Sequence, residues 1–341
     1  MPSDNHKLPD WRWQLRLALA FAIAGVGVFL LWELSSVLLL VFGALILTAV
    51  IRGFAEIITR HTPLGERAAQ VTAIIMLALG SLGFLFLLGQ QIKEQFVELF
   101  EQMPDLIALV GDTFGIDDIG EALATVLTEF VDLGAFAGGI GAGVMGVVGA
   151  ASAAILVVVG GIYFALELKT YRRGLISLVP LPHKDRISDA LDASADGLKR
   201  WLAGQLLAML VVGIAVTLVM MALGLPSALA IGIIAGVLEF IPFLGPILAA
   251  IPALLVAFSE GEEMVMWVLI AYVLIQQIEG NVLVPLIQKR TVRLPPALGL
   301  FSILAFGILF GAWGVVLATP LTVVVMIMVQ KLYLKEASST Q

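Results

Sequence analysis

EFIPFLGPILAAIP, residues Glu239 to Pro252, sets three prolines, one glycine and one carboxylate in an otherwise apolar run. Each proline removes a backbone donor and presses on the preceding turn, so an unbroken helix is disfavoured there. A solvent loop has no reason to be so apolar. The lengths on either side resolve the conflict. Residues 228–239 and 247–258 each rise about 18 Å as helix, well short of a hydrocarbon core roughly 30 Å thick. Two half-length helices meeting at IPFLGP predict a re-entrant hairpin; a kinked pair of ordinary helices is the plainer alternative. Irregular backbone survives at membrane depth only where protein or water covers it. Many transporters bind solutes and coupling ions at such broken helices.

The composition puts this hairpin in a membrane. The chain is 60% hydrophobic and 13% charged, with a mean hydropathy of +1.05, against about 25% charged residues in soluble domains. It lacks the polar surface to cover a globule in water. No alternating strand pattern is visible, so helices are expected to satisfy the backbone. The net charge of −7 says little about partners. Cysteine is absent, which excludes disulfides, thiolate metal ligands and a cysteine nucleophile. His6, His61 and His183 all lie in charged connecting segments. The N-terminal MPSDNHKLPDWRWQLR does not read as a removable signal peptide. There is no HExxH pair, phosphate-binding loop, GxSxG elbow or paired-aspartate motif, so neither an enzyme nor an ATP-driven pump is expected, and no cofactor or metal. Basic residues sit beside spans, where topology explains them without nucleic acid.

The domain organisation follows from charge and spacing. Residues 1–90 hold three apolar runs, near 17–31, 34–51 and 68–89. Arg12 and Arg16 precede the first two, and Arg52, Arg60 and Arg67 follow them, a hairpin entering from and returning to the cytoplasm. Residues 91–138 form an acidic insert in which Lys93 is the one lysine. Ile92, Phe96, Leu99 and Met103, then Ile119, Leu123, Val126 and Phe130, recur at helical spacing. They predict extracytoplasmic amphipathic helices at the interface or against neighbouring subunits, with a solvated acidic loop as the alternative. Residues 139–166 are a fourth span. Gly139 and Gly143, and Ala142, Gly146, Ala150 and Ala154, lie four apart and suit close helix approach, within one chain or between copies.

Residues 167–200 are basic and read as cytoplasmic, with Ile187, Leu191, Leu198 and Leu202 on one side of a helix. A transport core over 201–334 follows: a span ended by Gly224 and Pro226, a hairpin near 226–258, a span over 264–287, and a second hairpin near 295–314. A tail, 335–341, completes an all-α polytopic membrane protein of about seven to eight transmembrane helices. Lys331 and Lys335 favour a cytoplasmic C-terminus, but the number of crossings leaves its side open.

A charge inside a span costs about 2.5–3.5 kcal/mol on insertion scales, so retained carboxylates usually face a cavity or a partner. Glu239 lies at the hairpin tip. Glu279 is three residues from Gln276, on one face of a helix. Glu239, Gln276, Gln277, Glu279 and Asn281 are therefore expected to line a polar site for a small hydroxylated solute, a proton or a cation. The alternative is that Glu279 and its neighbours snorkel to the cytoplasmic surface.

WLAGQLLAML, GLPSALAIGIIAGVLEFIPFLGPILAAIPALLVAF, QQIEGNVLVPLIQKRTVRLPPALGL and FGAWGVVLATPL, in that order over about 202–321, resemble the autoinducer-2 exporter family, also described as PerM-like permeases. The resemblance implies a secondary, non-ATP transporter of the bacterial inner membrane, moving a small polar solute such as autoinducer-2 by elevator-like motion. It implies a role in quorum sensing and a homo-oligomer, a pentamer, embedded in lipid. Some members are linked to sodium– or lithium–proton exchange, and membership does not choose between these. A channel formed by the oligomer is the reading from a different class. Carried over by motif, the first hairpin holds Pro242, Gly245 and Pro246, and the second runs from Pro295 to Gly314. QKRTVRL departs from the less basic, glycine-containing turn common in the family.

Overall fold

The computed structural model describes residues 32–114, 143–288 and 294–334, with scattered helical positions before Trp32. Most of the first apolar run, the amphipathic stretch Ile119–Phe130, Gly139 and Ala142, the loop 289–293 and the tail lie outside the described residues. All regular structure among the described residues is helical.

The first layer is plain. Helix α1, Ser35–His61, has Arg60 in its last turn, where a cation suits the helix dipole. Helix α2, Glu66–Phe114, is 49 residues long, and α3 covers Gly143–Ser177 with a break from helical geometry at Glu167. Ala55, Ala69, Ala73 and Ala165 are buried where α1, the start of α2 and α3 meet. In lipid there is no hydrophobic drive between helices, so small side chains that allow close backbone approach carry the packing. At the basic end, Glu66 bridges Arg52 at 3.2 Å and Lys169 at 2.7 Å.

Helix α4, Lys184–Leu223, links this layer to the second. It stops where Gly224 turns left-handed (φ +79°) and the Leu225 amide reaches back to the Met220 carbonyl, a C-terminal glycine cap. Helix α5, Ala228–Leu238, returns along α4. A side chain at Gly236 would meet the Met209 carbonyl at 2.8 Å, so α4 and α5 touch backbone to backbone. After a reversal at 239–243, α6 runs over Leu244–Glu260. Helix α7, Glu262–Ile278, continues through a π-helical turn, Glu279–Leu283, into the short α8, Val284–Gln288. Helix α9, Pro296–Val329, folds back at Gly311 (φ +62°, ψ −148°). The fold there is a full reversal: a side chain at Gly314 would run into the Phe306 carbonyl, and one at Gly307 would meet Val315 at 3.0 Å. Residues eight apart never touch in a straight helix.

Six described helices are long and apolar enough to cross a membrane by length and composition, and the last of them is two arms, 296–310 and 312–329. The expected second hairpin, Pro295–Gly314, is thus the first arm plus the turn, and its returning arm extends beyond. Helix α5, 11 residues long, matches the predicted half-length, whereas α6, at 17 residues or about 26 Å, is longer than the twelve expected. Leu99, Met103, Leu106 and Ile107 of α2 are buried in the main core with α4, α5, α6 and α7. The apolar face that suggested a bilayer interface or a neighbouring subunit is thereby covered, over this part, within the chain. Gln95 completes the contact: its Oε1 accepts hydrogen bonds from the Leu229 and Ala230 amides at 3.0 and 3.2 Å, two of the free donors at the start of α5.

Candidate functional site around the first hairpin tip

The reversal that ends α5 is built by its own residues. The Gly245 amide donates to the Ile241 carbonyl at 2.8 Å and the Leu244 amide to that of Pro242 at 2.9 Å. Gly245 lies against the Leu238 carbonyl so closely that any side chain would overlap it. Pro246 falls in the first turn of α6, where a missing N–H costs nothing because that donor has no partner within the helix.

Two measures give the depth of this tip. Gln205 Nε2 donates to the Glu239 carbonyl at 2.5 Å, and Gln205 stands eighteen residues, about 27 Å at helical rise, from the end of α4 at Leu223. Helix α7 spans 17 residues before Glu279, about 26 Å. The two paths start from the same end of the bundle and reach one level. Beside it, Phe240 packs edge-on to Trp201 with ring centroids 5.9 Å apart.

Glu239 is 3% exposed, and its Oε2 has no hydrogen-bond partner. The Glu279 carboxyl is its nearest charged neighbour, and the Gln276 side chain lies beside Glu279. No basic side chain among the described residues bears on either carboxyl. A buried carboxyl beside a second, half-buried one needs a counter-charge or a shared proton.

Of the expected site residues, Glu239, Gln276 and Glu279 are brought together. Pro242, Gly245 and Pro246 shape the turn beneath them. Gln277 and Asn281 are exposed and bond to one another, Asn281 Nδ2 donating to Gln277 Oε1 at 3.0 Å, away from the pair. Gln205 and Trp201 went unread in the sequence. A glutamine inside an apolar span was the available signal for Gln205, and nothing marked Trp201. A hollow of about 510 Å³ along α2, between Gln90 and Gln102, is walled by one helix face and does not include the carboxyl pair.

Comparison with known proteins agrees with the architecture. The profile of the AI-2E family transporter matches residues 19–334, and the chain belongs to that family. It is 34% identical over 166 residues to YrrI of Bacillus subtilis (strain 168), provisionally named a transport protein, covering 49% of this chain and 47% of that one. It is 30% identical over 143 residues to the AI-2 transport protein TqsA of Escherichia coli (strain K12), 42% of each chain. Against PerM of the same strain, provisionally named a permease, identity is 32% over 127 residues, 37% of this chain and 36% of that one. The matched stretch spans about half the length of these relatives or less.

Proposed function

We propose that this member of a transporter family is a secondary carrier of the bacterial inner membrane, moving a small polar solute such as autoinducer-2. Both hairpins are read as re-entrant, the first entering opposite the basic end and the second from it. Elevator-like displacement of the hairpins against the α1–α3 layer, in a homo-oligomer, is the proposed motion. One observation carries the reading: a 3%-exposed carboxyl, Glu239, with an unpartnered oxygen at the tip of a broken hairpin beside a second carboxyl. Membrane anchors have no use for such a group, since burying it is costly. The name of TqsA, AI-2 transport protein, supports the solute class. The Arg186 guanidinium donates to the Leu332 carbonyl, which supports a C-terminus on the basic, cytoplasmic side.

A second reading, exchange of sodium or lithium for protons, draws support from the absence of a described cationic side chain at the pair. Purified protein in proteoliposomes separates these. The carrier reading expects saturable autoinducer-2 flux, reduced at least about tenfold by Glu239→Gln, as loss of a site interaction worth roughly 1.4 kcal/mol implies. Cation-driven proton movement with no solute flux would replace it by the exchanger, and large unitary currents by a pore.

A further inference from the structure

Phe243 ends the first hairpin with φ +69°, one of two non-glycine residues with positive φ among those described. An aromatic residue in the left-handed region is strained, because its Cβ crowds the backbone. The strain accompanies the tight turn that the Leu244 amide closes on the Pro242 carbonyl, and it persists only where the surroundings hold it. Phe243 is 45% exposed, so it is not held as core. It reaches instead to the foot of the second hairpin: a methyl group on Gly299 would sit 3.2 Å from Phe243 Cε2. Gly299 itself is buried. Phe240, three residues earlier, is anchored edge-on to Trp201 of α4. The tip therefore carries two aromatics with different duties, one fixed to α4 and one laid across to the other hairpin.

We propose that Phe243 resting on Gly299 is an inner gate. Ring on glycine closes the basic-end side of the Glu239–Glu279 site, and separating the two hairpins at this contact opens it. The backbone strain keeps the closed state from being too deep to leave. Gly299 seats the ring closely, since a methyl group there would push it aside by a few tenths of an ångström, and Ser302, three residues on, is buried with its hydroxyl donating to the Gly299 carbonyl at 2.7 Å. The gate rests on the carrier reading, and it has a readout independent of flux.

The natural chain has no cysteine, so S302C supplies a single thiol. An impermeant maleimide is added to the cytoplasmic face of inside-out vesicles. F243A and F243G, each combined with S302C, are expected to label about tenfold faster than S302C alone, the ring being the barrier in both. F243L, which keeps bulk, is expected near the parent. F243G also relieves the strain and is expected to melt no lower than the parent, so it keeps the test alive if F243A folds poorly. Equal labelling in all four, within about twofold, overturns the gate. So does slower labelling in F243G with F243A unchanged, which would make the contact strain alone. Autoinducer-2 flux in the same vesicles separates the failures: flux with equal labelling sinks the gate only, and faster labelling without any flux strikes the carrier reading.

Discussion

The two hairpins reverse the chain by opposite means. The first spends five residues, 239–243, on its turn and is hemmed in by Gln205 and Trp201 of α4, by Glu279 after α7 and by Gly299 of α9. The second reverses on Gly311 alone, and a side chain there would meet nothing within 4 Å. Both are tight just after the turn, at Gly245 against the Leu238 carbonyl and at Gly314 against that of Phe306. One tip is a socket that holds a buried carboxyl; the other is a glycine hinge flanked by Phe310 and Trp313. A buried carboxyl demands the socket, because every neighbour must be placed to offset its lost hydration. A tip without a buried carboxyl is free of that demand.

The largest effect that would test this contrast is at Gly245. Gly245→Ala pushes a methyl group into the Leu238 carbonyl and is expected to cost about 3 kcal/mol or more. It should appear as a large fall in the melting temperature of purified protein, or as no folded protein at all. A wild-type melting curve would mean that the first turn is looser than described. Next comes Gly311→Ala, where only backbone strain is added; the cost expected is about 1–3 kcal/mol, with folding retained. A loss as large as that at Gly245 would show that the second tip is also a packed socket. The smallest effect belongs to Gln277→Ala and Asn281→Ala. Both side chains are exposed and bond to one another, so each change should stay within about 0.5 kcal/mol and leave flux intact. Loss of flux would return these residues to the pathway.

This contrast also explains what could be read in advance. Proline and glycine act on their own backbone, so the break at IPFLGP was legible, and the short α5 before it to within a residue; α6 runs longer than the half-span expected. The second turn was harder. GAWG offers two glycines, and only the packed arms reveal that Gly311 turns while Gly314 passes the Phe306 carbonyl. Periodicity put Glu279 with Gln276 on one face, and it holds. It also grouped Gln277 and Asn281 with them, because spacing along a helix cannot say which flank meets a separate hairpin. Gln205 and the meeting of Glu239 with Glu279 depend on α4 and α7 reaching one depth, a property of two lengths together. The face of Leu99 and Met103 was legible as apolar, but its covering by the α4–α7 core was not, since helical spacing names a buried side and never its partner.

The central claim is that the first hairpin carries Glu239 to Glu279 inside the membrane-embedded bundle. The absence of native cysteine makes proximity directly measurable by cadmium or disulfide bridging in native membranes, with E239C/E279C as the test pair and E239C/Q277C as the control. Rapid bridging in the first and none in the second is the predicted result. No bridging at E239C/E279C in folded protein, or equal bridging in both pairs, would contradict it.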